Sequence, residues 1–428
     1  MNGLNGLQDG VSEESTGILR ALKSRNYRLF FFGQSVSLIG TWMQQVAMSW
    51  LVYRLTGSAL LLGTIGFCSQ APTFVVAPIA GVLADRWNRR RLLMLTQSFA
   101  MLQAFLLAFF VFHGSIQVWH LVVLSLWLGT VNGVDIPVRQ SFVVEMVEEK
   151  RLLANAIALN SSMVNGARLI GPSIAGLVIS VAGEGVCFLI NGLSYLAVLT
   201  SIFLMRLKAA PPRAAARSFL HELKEGFGYA LSFMPIRTIL LLVSLMSLTG
   251  MPYAVLMPVF ARDVLHGGAH TFGFLMAAAG VGSFAGTVYL ASRKSVIGLG
   301  RIIALSCGLF GVGIACFSQS RNFWLSLLAL LFSGYGAMTQ VASCNTILQT
   351  IVEDDKRGRV MSLFTMSFMG MAPFGSLFAG AIASRVGAPV TVLIGGISCV
   401  CGAILFALRL PVFREQVLPI YREKDILP

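Results

Sequence analysis

Apolar runs of about 20 residues alternate with short, base-rich breaks along the whole chain, and this alternation restricts the fold more than any other feature. A run of that length, wound as an α-helix, matches the hydrocarbon thickness of a bilayer. About twelve can be laid out, at 28–52, 60–84, 92–112, 119–143, 152–181, 186–206, 236–261, 271–291, 300–318, 323–349, 359–384 and 389–409. Only 12% of the residues are charged, against about 25% in a soluble domain. Soluble multidomain enzymes, disordered scaffolds and secreted disulfide frameworks are excluded. The expected fold class is an all-α membrane protein with twelve transmembrane helices.

The net charge of +14 would suggest nucleic acid in a soluble protein. Here the bases cluster between apolar runs, with no basic stripe among exposed aromatics, so no nucleic-acid partner is expected. Of the 32 Lys and Arg, 26 fall on the side of the N-terminus and four (Arg54, Arg262, Arg321, Arg385) on the other. By the positive-inside rule both termini are expected in the cytoplasm, the chain crossing the cytoplasmic (inner) membrane many times. Residues 1–26 lack a short apolar core before a cleavage site, so no removable signal is expected. The expected layout is a cytoplasmic tail (1–27), a six-helix bundle (28–206), a cytoplasmic linker (207–235), a second six-helix bundle (236–409) and a cytoplasmic tail (410–428). The seven cysteines form no CxxC pair and read as small packing residues. His266 and His270 are separated by Gly267 and Gly268, which favours a loop over a metal site.

The halves look related. Glu148-Glu149-Lys150-Arg151 is echoed by Asp354-Asp355-Lys356-Arg357, and Gly171-Pro172-Ser173-Ile174-Ala175-Gly176 by Gly375-Ser376-Leu377-Phe378-Ala379-Gly380, at offsets of 206 and 204. Two parallel six-helix repeats are a transporter architecture, with the substrate site near the midplane between them.

The break between the second and third runs reads Gly81-Val82-Leu83-Ala84-Asp85-Arg86-Trp87-Asn88-Arg89-Arg90-Arg91. The glycine permits close helix approach. Asp85 stands where the helix leaves the membrane, able to accept from a neighbouring helix N-terminus whose dipole favours negative charge. Gly81, Asp85, Arg86, Arg89 and Arg90 are therefore expected to form a conformational latch. The segment resembles the signature of the major facilitator superfamily, G-x-x-x-D-R/K-x-G-R/K-R/K. Asn88 replaces the usual glycine, and asparagine tolerates left-handed backbone better than most residues. In that family the element is held to stabilise the form open to the outside and closed to the cytoplasm. The equivalent second-half segment, Gly286 to Lys294, is degenerate.

Gly166-Ala167-Arg168-Leu169-Ile170-Gly171-Pro172 and Gly176 resemble, loosely, the antiporter motif of exporters in the superfamily. Gly171, Pro172 and Gly176 are the expected hinge, because proline frees a carbonyl and glycine allows tight packing. Asp135-Ile136-Pro137-Val138-Arg139, Asn165 to Gly176, and Arg357 to Ser362 resemble the exporter branch containing enterobactin and macrolide efflux proteins, the transmembrane secretion effector type.

Three charges fall inside apolar runs: Asp135 and Arg139, one helical turn apart, and Arg168. An ionisable group at the bilayer centre costs at least ~2.5–3.5 kcal/mol, so it faces a cavity or another charge. Asp135 is the expected proton carrier, with Arg139 or Arg168 as its switching partner; a permanent structural ion pair is the alternative. The repeat offset gives Val341, Asn345 and Ala372 as their uncharged counterparts. Gln34, Gln44, Gln45, Gln70, Asn132, Asn160, Asn191, Gln340 and Asn345 are expected mostly in interhelical hydrogen bonds, with lining of the same cavity as the alternative. The resemblance implies a monomeric transporter that exports a small amphipathic organic molecule, drug- or siderophore-like, by alternating access in exchange for protons. The bilayer is its surroundings, and no cofactor or metal is required. A lysophospholipid or lipid flippase is the alternative. No HExxH or GxSxG motif suggests an enzyme.

Overall fold

The computed structural model describes residues 20–147, 152–206, 227–293, 295–354, 356–424 and 426, without the side chains of 78, 79 and 81–86. Most of the linker 207–235 and the joint 148–151 thus lie outside the described residues. Twelve long helices follow one another: α1 Arg25–Thr56, α2 Ala59–Arg86, α3 Arg89–Phe112, α4 Val118–Met146, α5 Leu153–Ala182, α6 Glu184–Leu204, α7 Met234–Val264, α8 Ala269–Ser292, α9 Leu299–Gln319, α10 Phe323–Ile351, α11 Arg357–Val386 and α12 Ala388–Glu423. Eleven are long and apolar enough to span a bilayer. The other, α1, has 32 residues and carries Gln34, Gln44 and Gln45. The fold is all-helical; α12 runs on to Glu423, beyond the expected limit at 409.

Local chemistry sets the helix ends. The Asn322 side chain accepts from the backbone N–H groups of Trp324 and Leu325 at 2.9 and 3.2 Å, satisfying orphan donors at the start of α10. Gly183 and Gly387 join α5 to α6 and α11 to α12 at φ of 81° and 87°, a region glycine enters without strain. These two turns occupy equivalent places in the halves.

Helices α1–α6 and α7–α12 each pack into a bundle. Tyr27, Phe30 and Phe142 lie in a cluster confined to the first half, whereas Phe260, Phe310 and Phe317 lie in a larger cluster that runs across both halves. The bundles meet along two seams, α5 against α8 and α2 against α11. Both seams are glycine on glycine. A Cβ on Gly176 would lie 3.0 Å from Ala269 O and 3.0 Å from Gly273 Cα; one on Gly380 would lie 2.7 Å from Ala59 O and 2.8 Å from Gly63 Cα. Reciprocally, a Cβ on Gly273 would meet Pro172 O at 2.7 Å, and one on Gly63 would meet Ser376 O at 2.4 Å. The seams are pseudo-symmetric copies, and both lie toward the face opposite the termini. On the face of α5 turned to α8 the packing loosens toward the termini. Gly280 still abuts Leu169, but one turn on, a Cβ at Gly166 would meet nothing within 4 Å, and Ala158, Ser161 and Ser162 are exposed.

Among the described residues, wide π-helical turns occur in the second half alone, at Met246–Gly250 and Phe260–Val264 in α7 and at Met366–Gly370 in α11. Pro252 and Pro373 follow two of them closely; proline lacks the N–H and crowds the carbonyl four residues back, and a widened turn absorbs both defects. Pro172, the expected hinge residue, lies within an uninterrupted α5.

Two glycines on α5 provide a test. Gly176→Ala forces a methyl into backbone and should cost about 1–3 kcal/mol. Gly166→Ala has open space and should stabilise the helix by up to about 1 kcal/mol. Thermal unfolding of the purified variants in detergent is expected to rank them in that order; the reverse order would refute the glycine seam.

Candidate functional site

The first half carries a buried polar network between its helices. Asp135, on α4 and only 4% exposed, accepts hydrogen bonds at one carboxylate oxygen from Thr96 Oγ1 (2.7 Å) and Gln97 Nε2 (2.8 Å), both on α3. Its other oxygen faces Arg139 Nε at 3.4 Å. A buried charge is tolerated when paired and hydrogen-bonded in this way. Each of these partners belongs to the first bundle, and the acid is turned into that bundle rather than toward lipid. Nearby, Asn191 donates to Gln44 (2.8 Å), Gln44 to Gln103 (2.9 Å), and Gln103 to the Leu124 carbonyl (3.2 Å). This chain of amides ties α6, α1, α3 and α4 together.

Arg168 stands apart from that pair. It lies midway along α5, partly exposed, with its guanidinium carbon 5.6 Å from the centroid of the Trp42 ring on α1. Its backbone meets the other half: a Cβ on Gly280 of α8 would lie 3.4 Å from the Arg168 carbonyl oxygen. The structure therefore brings Asp135 and Arg139 together and places Arg168 at the junction of the bundles.

The second-half counterparts shift by one residue from the expected alignment. Gly129 on α4 packs on the Cys68 and Ser69 carbonyls of α2, as Gly334 on α10 packs on the Ala279 carbonyl of α8. This register pairs Asp135 with the fully buried Gln340, not Val341, and Arg139 with Cys344, not Asn345. The offset taken from the loops did not carry through α4 and α10. The α5 register is unchanged, leaving Ala372 opposite Arg168.

Of the expected latch, the side chains of Gly81, Asp85 and Arg86 lie outside the described residues; the α2 backbone stays helical through Arg86. Arg89 pairs with Glu145 on α4 at 2.5 Å, and Arg90 donates to the Phe203 carbonyl on α6 at 2.7 Å. Asn88 is not left-handed, as its replacement of glycine suggested. It has φ −68°, and its side chain accepts from Arg91 N at 3.1 Å, so it caps α3 instead.

At the opposite face a cross-bundle contact joins α1 and α7. The Tyr53 hydroxyl donates to the Asp263 carboxylate. Arg262 donates to the Tyr53 carbonyl at 3.4 Å and lies 5.8 Å over its ring. One turn inward, Trp50 stacks on Phe272 of α8, with centroids 6.3 Å apart. None of these pairings was foreseen. The available signal was Asp263, an acid beside one of the few bases on that face. Arg54 and Glu184 also pair there, at 2.7 Å, but within the first bundle.

Two parallel six-helix repeats meeting around a midplane junction define a transporter of the major facilitator type. The fold of a bacterial homologue of the human lysosomal transporter Spinster, solved in an inward-facing and unoccupied conformation, is similar at a TM-score of 0.70 and 13% identity, covering 93% of this chain and 98% of that one. The family model described as "Transmembrane secretion effector" matches residues 16–423, and the chain belongs to that family. Among curated relatives, the staphyloferrin A transporter of Staphylococcus aureus is 29% identical over 383 residues, covering 88% of this chain and 94% of the relative. Macrolide efflux protein A of Streptococcus pyogenes is 22% identical over 394 residues, covering 90% and 96%. The protein is thus a multi-pass membrane transporter of the efflux type, not an enzyme.

Removing the cross-bundle bond should loosen the opposite face. With the exposed Cys316 and Cys401 replaced by serine and a reporter introduced as Ala269→Cys, Asp263→Asn is expected to speed labelling by an impermeant maleimide about fivefold, the equivalent of about 1 kcal/mol. Arg54→Gln, which breaks a pair within one bundle, should leave the rate unchanged. Equal rates for both variants would count against a cross-bundle role for Asp263.

Proposed function

We propose that the protein exports a small amphipathic organic molecule, of the drug or siderophore type, across the cytoplasmic membrane by alternating access in exchange for protons. The observation that carries this reading is the pair of symmetric glycine seams, closed toward one face while the α5–α8 packing loosens toward the other. Rigid bundles joined in this way can rock about a midplane site. With the base-rich termini on the cytoplasmic side, the looser end is the cytoplasmic one, where an export substrate enters. The names of the siderophore and macrolide relatives favour such a cargo over a lysolipid.

Asp135 is the proposed proton carrier, because an acid buried inside a membrane helix bundle is costly unless it serves transport or structure. Arg139 is its partner in the present state. Protonation would weaken that pair and free the guanidinium, and a changed contact on protonation is what coupling needs. Rocking would involve Gly171 and Gly176 on α5, and the latch of Asp85 and its arginines would hold the opposite state.

Inside-out vesicles supply the test, with a panel of siderophores, macrolide antibiotics and lysolipids and with or without an imposed pH gradient. A siderophore or antibiotic is expected to accumulate at least tenfold more with the gradient, and Asp135→Asn should remove that difference. Accumulation of lysolipid alone would favour the flippase. Gradient-driven uptake preserved in Asp135→Asn would refute the proton assignment.

A further inference from the structure

Among the described residues in the helix interiors, the basic groups of the first bundle are not equally neutralised. Arg139 has Asp135 and Arg89 has Glu145. Arg168, at the junction of α1, α5 and α8, has among the described residues no carboxylate within ion-pairing distance and no side-chain hydrogen bond. Its one defined contact is the Trp42 ring. A cation–π contact is worth roughly 0.5–2 kcal/mol, less than the ~2.5–3.5 kcal/mol or more that a charge at membrane depth costs. That contact also covers only the face of the guanidinium, leaving its in-plane N–H groups free of protein acceptors. Those groups form a fork that fits a carboxylate with two parallel bonds.

We propose that Arg168 is the anion-recognition residue of the midplane site, and that the transported molecule carries a carboxylate beside a planar or aromatic group. Charge selects the class. One guanidinium neutralises one carboxylate, whereas it would leave a phosphate dianion with net negative charge in a low-dielectric junction. The surroundings select the shape: Trp42 of the first bundle, beside the guanidinium, offers a flat, polarisable wall for an aromatic body. The Arg168 carbonyl lies beside Gly280 of the second bundle, so an occupant held by Arg168 sits where the bundles meet. The assignment deepens the exporter reading by naming its cargo class, but it is read as binding at equilibrium, so it can fail while transport persists, and the converse.

The probe set is tritiated 1-naphthoate, competed by unlabelled 1-naphthoate, neutral 1-naphthamide and cationic 1-naphthylmethylammonium. The full chain is held in nanodiscs of zwitterionic lipid and binding is read by scintillation proximity. Naphthoate is expected to compete at least tenfold better than the amide or the ammonium compound. Arg168→Gln should abolish that preference, and Arg54→Gln should leave it intact. Arg168→Lys, which keeps the charge but loses the fork, should retain a preference with affinity reduced about tenfold. A wild-type protein that binds the three compounds equally overturns the proposal without recourse to any variant. So does a preference that survives Arg168→Gln, or an Arg168→Lys affinity equal to wild type.

Discussion

Contact of glycine backbone with glycine backbone, made twice, is the interaction on which the rest of the architecture depends. Inside a bilayer there is no water to drive helices together, so close packing must hold them, and small residues let backbones approach. Gly176 on Gly273 and Gly380 on Gly63 bring α5 to α8 and α2 to α11 without interposed side chains. Such a seam is close-fitting but carries no long side chains to disengage. It can separate as one surface and reseat in one register, which interlocked side chains would impede. The internal repeat relates the two seams, so the bundles meet twice through the same close-fitting surface.

The buried charges follow a different logic from the seams. Asp135 takes its partners Arg139, Thr96 and Gln97 from one bundle, so the acid needs no partner from the other. Gln340 occupies the place of Asp135 in the second bundle, polar but uncharged. Any effect of protonation therefore begins in the first bundle and reaches the second through the junction, where Trp50 meets Phe272 and Tyr53 meets Asp263. Arg168 stands on that route, between α1 and α8.

Much of this was legible in the sequence, for physical reasons. Hydrocarbon thickness imposes a length on every span, so eleven helices and α1 emerged close to the apolar runs. Glycine spacing in the closing Ala-Gly motifs pointed to Gly176 and Gly380 because nothing larger fits between two backbones. Asp135 and Arg139 stood out by the cost of charge in lipid, and their spacing of four put them side by side. What escaped the sequence was whatever depends on how two distant helices meet. Tyr53 and Asp263 are separated by 210 positions in the chain, and no local pattern links them. Asn88 was misjudged because the same residue can replace glycine in a turn or cap a helix, and the start of α3 selects the cap. The shift from Val341 to Gln340 arose because loop lengths differ between repeats while helix packing keeps its own register.

The two halves depart from their shared plan in complementary directions. The first keeps regular helices through Pro137 and Pro172 and carries the interior charges. The second has no interior ion pair among its described residues comparable to Asp135 and Arg139, yet it contains all three π-helical turns, in α7 and α11. A π turn leaves a backbone carbonyl short of a regular partner and makes bending there easier than in an α-helix. Rigid charge placement and soft backbone are difficult to combine in one helix, because a paired acid needs its partner held to within a fraction of an ångström. Placing them in different bundles keeps the softer turns away from the hydrogen bonds that hold Asp135. The asymmetry of this pseudo-symmetric protein thus has a physical basis: one half fixes the interior charges and the other holds the softer backbone.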